Sequence, residues 1–523
     1  MTRGRILHVI QALTRGGAAR GMISAARHAA QLAPFAHAVL SLGPCEPGAR
    51  ALAHAAGLNV LEQPGPAELH RAVADADIVH VHFWNTPELY AFLRMDKPAA
   101  RVLIWIHVAG DHAPQIVTDE LFAAADFVLA SSPYTADLPV FARRAAAGQP
   151  PTGMVWLTAA FERLAGIRPR PHTGCNVGYI GAVDFAKLHP DYVAMSAAVA
   201  LPGVRFLVCG GGRDLPVVGQ QIEQAGAGDR FDVRGYVEEI GQVLEVLDVF
   251  GYPLCPETYA CAELVLQEAM FAGVPPVIFP HGGAQRMVIH GETGLIVHSA
   301  AEYTAAVETL CRNDRERLRL GRNAQAFARQ EFHAQRAAGA LNDVYGQMLR
   351  APKQQHRWPE PAFQAGAPPG AALFIQSLGP AAEHFRASMT ARSAEDLLRA
   401  ELAIRRAPPV LVSADGGGIL HYRRFYPADP YLRLWAGLVL HQAGRPALAT
   451  AEFAKAAELG LDHWRLWWYQ AQAAAAAGAP QLALAALQRV TDAAPAFVPA
   501  RQFAAGLLAG AAGSELELNH VLD

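Results

Sequence analysis

Two stretches of the chain combine residues whose types and spacing suit the binding of an anion. In the first, an apolar run ends at Gly16-Gly17, and a helical segment follows. Glycines let the backbone approach a ligand closely, and the first amides of a helix have no partners inside the helix. We therefore predict that Gly16 and Gly17 contact an anionic ligand, with an ordinary tight turn as the alternative.

The second stretch, residues 252–273, leads from a predicted buried strand through a loop into an apolar helix. That helix is expected to begin near Ala262, so the amides of Ala262, Glu263 and Leu264 would face a ligand and suit a diphosphate. Glu268, about one turn further along, can accept two hydrogen bonds from a pair of ribose hydroxyls. For Glu263, the alternative is an ordinary acidic residue that favours a helix N terminus.

Two basic side chains lie at the ends of other predicted strands. Lys187 follows the first strand of the second half of the chain, where its ammonium can neutralise a phosphate. A solvated loop lysine is the alternative. His107 ends a strand in the first half, and we expect it to face the ligand cleft.

His80 and His82 raise the question of a metal site. Their side chains are expected on opposite faces of the sheet unless the chain bends, and no cysteine or carboxylate lies at a suitable spacing. We therefore predict no metal site. We interpret His82 as a buried, hydrogen-bonded residue at the end of a strand.

Parallel sheets are the elements that would position these residues. Short apolar runs alternate with longer Ala-rich segments, as expected of buried strands joined by crossover helices. The pattern occurs twice, and two doubly wound domains in tandem leave a cleft at the carboxyl ends of their strands. The predicted strands are Ile6–Ile10, Ala38–Leu42, Ile78–His82, Val102–Ile106 and Phe127–Ala130 in the first half, and Asn176–Ile180, Val204–Cys209, Phe231–Val233, Val249–Tyr252 and Pro276–Phe279 in the second.

The predicted fold class is α/β, with two tandem Rossmann-like domains followed by an all-α domain. The stretch 314–349 is expected to be one long helical segment, and 158–173 is the expected hinge. The predicted division is an N-terminal Rossmann-like domain over 1–165, a second one over 166–350, a Pro-rich linker with a small connecting segment over 351–424, and helical repeats over 425–523.

The last segment contains two copies of one pattern at a fixed spacing. Small, apolar and turn-forming residues recur in the same order, and the spacing is that of the tetratricopeptide (TPR) helix-turn-helix unit, which the pattern resembles. The matching pairs are Gly444 and Gly478, Ala449 and Ala483, and Phe453 and Leu487. Residues 425–512 are therefore a candidate surface for a protein partner. The alternative is that the aromatic residues between 464 and 469 pack inside the fold.

Composition excludes several classes of protein. The 523 residues are 52% hydrophobic and 17% charged, which is too apolar for a disordered chain. The 44 basic and 47 acidic residues give a net charge of −3, so nucleic-acid binding is not expected. No apolar run reaches the roughly 20 residues of a transmembrane helix. The six cysteines contain no Cys-x-x-Cys pair, and we interpret them as free thiols of a cytoplasmic protein.

Together these motifs resemble the retaining, nucleotide-sugar-dependent glycosyltransferases of the GT-B fold, in the large family often called family 4. The resemblance covers about residues 5–350 and is most specific over 268–275 and 291–297. It implies that the helix carrying Glu268 binds a nucleotide diphosphate sugar, that Glu268 holds the ribose, and that His107 contacts the transferring sugar. The other matching positions are Gly16-Gly17, the loop from Gly181 to Lys187, Gly210–Gly212 and Arg234–Val237.

Two departures from the family pattern affect the expected site. Ala182 stands where the family usually has an arginine, so one phosphate-neutralising cation is missing unless Arg286 or another residue substitutes. The family also spaces two glutamates as Glu-x7-Glu, and this chain has Ala260 where the first of them should precede Glu268. Glu257 lies a little further upstream, so the loop is longer than in the family. We interpret Glu257 as the displaced first glutamate, which would orient sugar hydroxyls.

The resemblance implies an enzyme that moves a sugar from a nucleotide diphosphate donor to a glycan, small-molecule or polypeptide acceptor. It also implies retention at the anomeric carbon, with neither a metal nor another cofactor. Two alternatives stay open: a protein-directed glycosyltransferase that recruits its acceptor through the TPR-like tail, and a catalytically inactive nucleotide-sugar-binding scaffold. A GT-B epimerase or phosphorylase is a smaller alternative, because fold does not fix function.

Overall fold

The computed structural model describes residues 4–148, 150–359 and 368–510. The described residues divide into two compact units. The first unit contains residues 4–84 and 91–359, and the second contains residues 85–90 and 368–510. Each unit is described by itself below.

The first half of the first unit is built on a seven-stranded parallel sheet in the order β3-β2-β1-β4-β5-β8-β9. The central strands β4 and β5 are buried along their whole length, as expected of parallel strands covered on both faces. The strands are β1 (Gly4–Ile10), β2 (Phe35–Ser41), β3 (Asn59–Glu62), β4 (Ile78–Phe83), β5 (Val102–Ile106), the hairpin strands β6 (Asp111–His112) and β7 (Gln115–Ile116), β8 (Phe127–Ala130) and β9 (Thr152–Met154).

Helices connect these strands as crossovers, which is the arrangement that parallel pairing requires. The helix that matters most for the site is α1, because it begins at Gly17 directly after the loop that follows β1. The helices are α1 (Gly17–Leu32), α2 (Pro47–Ala55), α3 (Pro66–Asp75), α4 (Pro87–Arg94), α5 (Asp119–Ala123), α6 (Pro133–Ala136) and α7 (Pro139–Ala147), and a 3₁₀ turn follows over Phe161–Leu164.

The second half repeats the design with a six-stranded parallel sheet in the order β12-β11-β10-β13-β14-β15. Its strands are β10 (Cys175–Ile180), β11 (Val204–Cys209), β12 (Phe231–Gly235), β13 (Val249–Tyr252), β14 (Pro276–Ile278) and β15 (Leu295–Ile296). Its helices are α8 (Tyr192–Ala197), α9 (Leu215–Gln224), α10 (Ile240–Leu244), α11 (Leu264–Phe271), α12 (Ala300–Arg312), α13 (Asp314–Glu331) and α14 (Ala334–Met348), with 3₁₀ turns over Gly228–Arg230 and Gly282–Arg286.

Two expectations about this half were wrong. The stretch 314–349 is not one helix, because α13 ends at Glu331 and α14 begins at Ala334. The six cysteines are not all free thiols, since Cys175 at the start of β10 and Cys311 in α12 form a disulfide across 136 residues. The free cysteines in the described part of the chain are Cys45, Cys209, Cys255 and Cys261.

The second unit is helical apart from its connecting turns. Helix α20 starts at Pro430 and α22 at Trp464, while α21 starts at Pro446 and α23 at Pro480. Both pairs of starts have the spacing that separates Gly444 from Gly478, so the predicted period is visible in the helices. The helices are α15 (Pro369–Leu378), α16 (Glu383–Thr390), α17 (Ala394–Arg405), α18 (Pro409–Val412), α19 (Ile419–Phe425), α20 (Pro430–Gln442), α21 (Pro446–Glu458), α22 (Trp464–Ala476), α23 (Pro480–Ala493) and α24 (Val498–Leu508), with a 3₁₀ turn over Gly379–Ala382.

The fold class predicted from the sequence is confirmed: two Rossmann-like α/β halves and a C-terminal helical region are present. Among the described helices, none is both long and apolar enough to cross a bilayer. The domain boundaries at 165, 350 and 424 stay a prediction, and their outer parts at 360–367 and 511–523 lie outside the described residues.

Candidate functional site

The start of α11 offers free backbone amides beside an acidic side chain. Glu263 is the N-cap residue, and α11 begins at Leu264, slightly later than expected from the sequence. Within the part of the chain that the structure describes, the amides of Leu264 and Val265 have no hydrogen-bond partner. Such amides and the positive end of the helix dipole together bind anions.

The Gly16-Gly17 turn faces this helix start. A Cβ on Gly17 would lie 3.7 Å from Cδ1 of Leu264, so even the smallest side chain at this position would touch the helix start. Gly16 is the N-cap of α1, and its extended backbone carries no side chain into the gap. The turn after β1 and the start of α11 therefore approach each other from opposite halves of the first unit.

Lys187 lies at the same helix start, where it forms an ion pair. Its Nζ is 2.6 Å from Oε2 of Glu263, and the Tyr252 hydroxyl donates to the same oxygen at 2.5 Å. Glu263 is 8% exposed, so this pair is largely shielded from water. Burial raises the pKa of Tyr252, and the adjacent Glu263 carboxylate raises it further. Tyr252 therefore stays protonated and remains a hydrogen-bond donor.

Glu268 combines one paired and one open carboxylate oxygen. Its Oε1 accepts hydrogen bonds from Arg20 Nη2 at 3.2 Å and from Arg163 Nη2 at 2.6 Å. Its Oε2 is buried without a partner among the described residues. Burial raises the pKa of Glu268, and the two guanidiniums oppose that shift. These three side chains, with Leu264 and Tyr236, line a cleft of about 550 Å³. Glu268 thus borders this cleft with one carboxylate oxygen that lacks a partner among the described residues.

Two other predicted site residues are not joined to this group. His107 is 5% exposed at the end of β5 and bonds to His82, and Glu257 is exposed. Across the described residues, neither side chain makes a hydrogen bond or ion pair with Lys187 or Glu268. The segment that carries His107 nevertheless contacts the loop before α11, because the nearby Ala109 amide donates to the Tyr259 carbonyl in that loop.

The expectation that His80 and His82 point to opposite faces was wrong. Residues two apart on a strand point to the same face, and the two rings stack with centroids 4.4 Å apart. Ring nitrogens of His8, His80 and His82 lie within 4.8 Å of one another. The spacing argument against a metal therefore fails, and the absence of a metal site stays a prediction.

Comparison with known proteins indicates the class of enzyme. Residues 175–313, which contain the whole second sheet and α11, match the family model described as glycosyl transferases group 1. The D-inositol 3-phosphate glycosyltransferase of Xylanimonas cellulosilytica is 28% identical over 380 residues, which cover 62% of this chain and 89% of that protein. The chain is a glycosyltransferase that resembles group 1 over residues 175–313.

Solved structures share the fold of this glycosyltransferase. HepE of Anabaena in complex with UDP and glucose has a TM-score of 0.54 and 17% identity, covering 66% of this chain and 100% of that one. The sucrose-phosphate synthase of Thermosynechococcus elongatus has a TM-score of 0.52 and 17% identity, covering 67% of this chain and 100% of that one. Both similarities concern the α/β architecture.

The sequence did not single out two cations of this glycosyltransferase. Arg20 and Arg163 both contact Glu268, although they come from α1 and from the 3₁₀ turn after β9. Arg20 carries a usable signal, since it lies in the first turn of α1, shortly after Gly17. Arg286, considered as a substitute for the missing arginine, is half exposed and pairs with Asp137 at 2.5 Å.

Gly283 supports the loop that leads into α11, and it provides a test of how closely that loop is held. A Cβ at position 283 would lie 1.9 Å from the carbonyl oxygen of Cys261. We expect Gly283→Ala to displace this loop, to lower stability by about 1–3 kcal/mol and to lower turnover. Gly339→Ala in α14 is the control, because a Cβ there meets nothing within 4 Å; it should stabilise by about 0.5–1 kcal/mol. Equal thermal midpoints for Gly283→Ala and the wild type would contradict this prediction.

Proposed function

We propose that this glycosyltransferase transfers a sugar from a nucleoside diphosphate sugar to an acceptor hydroxyl, with retention of anomeric configuration and without a bound metal. The observation that carries the proposal is that Glu268 has a buried Oε2 without a partner among the described residues and borders a cleft that Leu264, at the N terminus of α11, also borders. Vicinal ribose hydroxyls suit the carboxylate, and a diphosphate suits the amides.

The main chemical task is to stabilise the charge that develops on the departing diphosphate. The Leu264 and Val265 amides and the Lys187 ammonium lie at one end of α11, and Gly17 keeps the opposing turn free of side-chain bulk. These groups are fixed before the reaction, so little reorganisation is needed as the charge grows. Arg20 and Arg163 add positive charge beside the carboxylate of Glu268, which would bind the ribose.

Other proteins suggest which ligands to try first. The solved structure of HepE contains UDP and glucose, and the curated relative is named for D-inositol 3-phosphate. We therefore propose UDP-sugars as the first donors and small polyols or sugars as the first acceptors. Mass spectrometry of the products, the anomeric coupling constant in their proton NMR spectra, and activity in EDTA test the transfer, its stereochemistry and its metal independence. An inverted product would contradict the proposed retention.

The aromatic residues that suggested recruitment of a polypeptide acceptor are used inside the second unit. The Trp464 and Trp468 rings lie 4.7 Å and 5.1 Å from the ring of Phe497. The Tyr469 hydroxyl donates to buried Glu401 at 2.7 Å. These contacts favour the alternative in which the rings build the helical fold, so acceptor recruitment through 425–512 needs other surface residues.

A nucleotide-sugar-binding protein without turnover is the second candidate function. It is favoured by the ion pair between Lys187 and Glu263, which neutralises the ammonium, and by Ala182, which supplies no cation. The two candidates differ in one measurement. Release of nucleoside diphosphate from any donor favours the enzyme, whereas tight nucleotide binding with no release favours the binding protein.

Removing the ammonium of Lys187 should slow the reaction far more than it weakens binding. We expect Lys187→Met to lower kcat about 10²- to 10³-fold, as for the loss of one group that stabilises a developing anion. Because this change removes the cation beside the buried Glu263 carboxylate, at a cost of about 3–5 kcal/mol, the double variant Lys187→Met/Glu263→Gln is measured as well. Glu263→Gln keeps an acceptor for Tyr252.

Lys455→Met is the matched control, because Lys455 forms an exposed pair with Glu458 in the second unit. Its kcat should equal that of the wild type. Wild-type kcat in the folded double variant would remove Lys187 from the proposed charge stabilisation.

A further inference from the structure

Four histidines of the first sheet form a continuous hydrogen-bonded chain that ends at His107. His37 Nδ1 lies 2.8 Å from His8 Nε2, His8 Nδ1 lies 2.9 Å from His82 Nε2, and His82 Nδ1 lies 2.9 Å from His107 Nε2. The rings come from β2, β1, β4 and the end of β5, which are neighbours in the sheet. The four rings therefore form a path across the sheet that ends at His107, directly after β5.

Burial disfavours the charged form of all four rings. Burial lowers the pKa of His37 to about 4 and that of His107 to about 3. Burial also moves the pKa values of His8 and His82 well below 6.5. In the described part of the chain, no carboxylate hydrogen-bonds to any of these rings and so none stabilises an imidazolium.

Neutral rings in such a chain must all adopt the same tautomer. A neutral imidazole has one N–H and one lone pair, and each interior contact joins Nδ1 of one ring to Nε2 of the next. Either all four rings carry the proton on Nε2, or all four carry it on Nδ1. In the first arrangement, His107 presents a lone pair at Nδ1, and in the second it presents an N–H.

The two ends of the chain favour the first arrangement. His107 Nδ1 and His37 Nε2 are both buried with no hydrogen-bond partner among the described atoms. Each arrangement leaves one N–H without a partner, and the first leaves it at His37, which at 8% is the more exposed end. The Nε2–H form is also the intrinsically preferred tautomer of neutral histidine, and this preference applies to each of the four rings.

We infer that His82, His8 and His37 are positioning residues that hold His107 in its Nε2–H tautomer, so that Nδ1 accepts a hydrogen bond from a hydroxyl of the bound sugar. The identity of that hydroxyl rests on the proposed function, whereas the chain and its tautomer do not. The arrangement selects a hydroxyl donor at this position and disfavours an anionic group, which would face a lone pair.

A metal ion is the competing use of the same rings. Nitrogens of His8, His80 and His82 lie within 4.8 Å of one another, and His80 Nε2 has no partner in the described structure. A metal at these nitrogens would take the lone pair that accepts the hydrogen bond between His8 and His82. A bound metal and the hydrogen-bonded chain of histidines therefore exclude each other, and the NMR and metal-binding measurements below distinguish them.

The decisive measurement is the tautomer of His107 in the resting protein. We expect long-range ¹⁵N–¹H NMR spectra of the ¹⁵N-histidine-labelled protein to show a pyridine-type Nδ1 and a pyrrole-type Nε2 for His107, assigned with His107→Gln. A pyrrole-type Nδ1 in the wild type would overturn the inference. So would one equivalent of bound zinc, or a visible ligand-field band with Co²⁺ that is lost in His80→Phe.

Two variants at His37, three rings away from His107, test whether the chain acts as a unit. In His37→Leu the Nε2–H form leaves its unpaired N–H at His8, which is 1% exposed, whereas the Nδ1–H form leaves it at His107, which is 5% exposed. An unpaired donor costs more where it is more deeply buried, so the rings should convert to the Nδ1–H form. His37→Asn supplies a carbonyl acceptor and should keep the wild-type tautomers. We expect kcat/KM to fall about tenfold in His37→Leu and to recover in His37→Asn. An Nε2–H His107 in folded His37→Leu would overturn the coupling.

Failure of the proposed function has a different signature. Wild-type protein with the expected tautomers but no turnover of any donor would leave the chain intact and remove the glycosyl transfer. An active enzyme with a pyrrole-type Nδ1 at His107 would contradict the inference about the histidine chain and leave the proposed glycosyl transfer standing.

Discussion

Glu268→Ala should abolish the preference of the protein for a nucleotide with ribose hydroxyls. A hydrogen bond to a carboxylate contributes about 1.5–3 kcal/mol, and about 1.4 kcal/mol corresponds to a tenfold change in affinity. We therefore expect Glu268→Ala to bind UDP about 100-fold more weakly than the wild type, measured by calorimetry. Transfer should fall at least as much, because the ribose fixes where the diphosphate lies relative to α11.

Affinity alone does not isolate the carboxylate, because Glu268→Ala also releases Arg20 and Arg163 to attract a diphosphate. The sharper comparison is between UDP and its 2′,3′-dideoxy analogue. The wild type should prefer UDP, and Glu268→Ala should bind both equally.

Glu162→Ala is the matched control for this prediction. Glu162 lines the same cleft, but its side chain is 49% exposed and pairs with Arg27 and His28. Its removal should leave the preference for UDP unchanged. If Glu268→Ala still discriminates between the two nucleotides, Glu268 does not hold the ribose.

Buried strands were the part of the fold that could be predicted most sharply. The predicted ranges Val102–Ile106 and Phe127–Ala130 match β5 and β8 residue for residue. Every residue in these strands is buried, so a short run of apolar letters marks both ends. The strands β3 and β9 were missed, because they lie at or near the edges of the sheet and contain half-buried and exposed residues.

In the candidate site as well, features formed by consecutive residues could be predicted, whereas contacts between distant parts of the sequence could not. The start of α11 and Glu268 were predicted, because a strand, a loop and a helix are consecutive in the chain. The contact between Arg20 and Glu268 spans 248 residues, and no periodicity connects such positions. Glu263 was interpreted as a donor-site residue with an ordinary helix-start acid as the alternative. Its pairing with Lys187 depends on the loop after β10, which lies far earlier in the chain.

Acid should unfold the first unit at a pH where carboxylates are still ionised, because five buried histidines must take up protons. The five rings, all with a pKa lowered by burial, are His8, His37, His80, His82 and His107. In the unfolded chain they titrate near pH 6.5, so between that pH and the folded pKa values the unfolded state binds more protons. The stability that the neutral rings contribute is therefore fully present above about pH 6.5, and it is lost as the pH falls towards their folded pKa values.

The expected loss is large compared with ordinary protein stability. Between pH 7 and pH 5.5 each ring lowers the free energy of unfolding by about 1 kcal/mol, and the five rings together lower it by about 5–6 kcal/mol. Typical domains have only about 5–15 kcal/mol of stability. We expect urea midpoints to fall steeply over this range, with about four to five protons taken up by the five rings on unfolding at pH 5.5.

One substitution separates these rings from the rest of the protein. Among the described residues, His80 hydrogen-bonds only to the Tyr345 hydroxyl, 2.8 Å from its Nδ1. Its removal leaves the contacts between His37, His8, His82 and His107 intact. His80→Phe should take up about one proton fewer on unfolding at pH 5.5, measured by parallel titration of native and urea-unfolded protein. Val79→Ala is the control, because Val79 lies on the opposite face of β4 and does not titrate; it should lower stability equally at pH 8 and pH 5.5. Equal proton uptake by His80→Phe and the wild type would show that His80 is already charged in the folded protein, and the acid sensitivity would then need another origin.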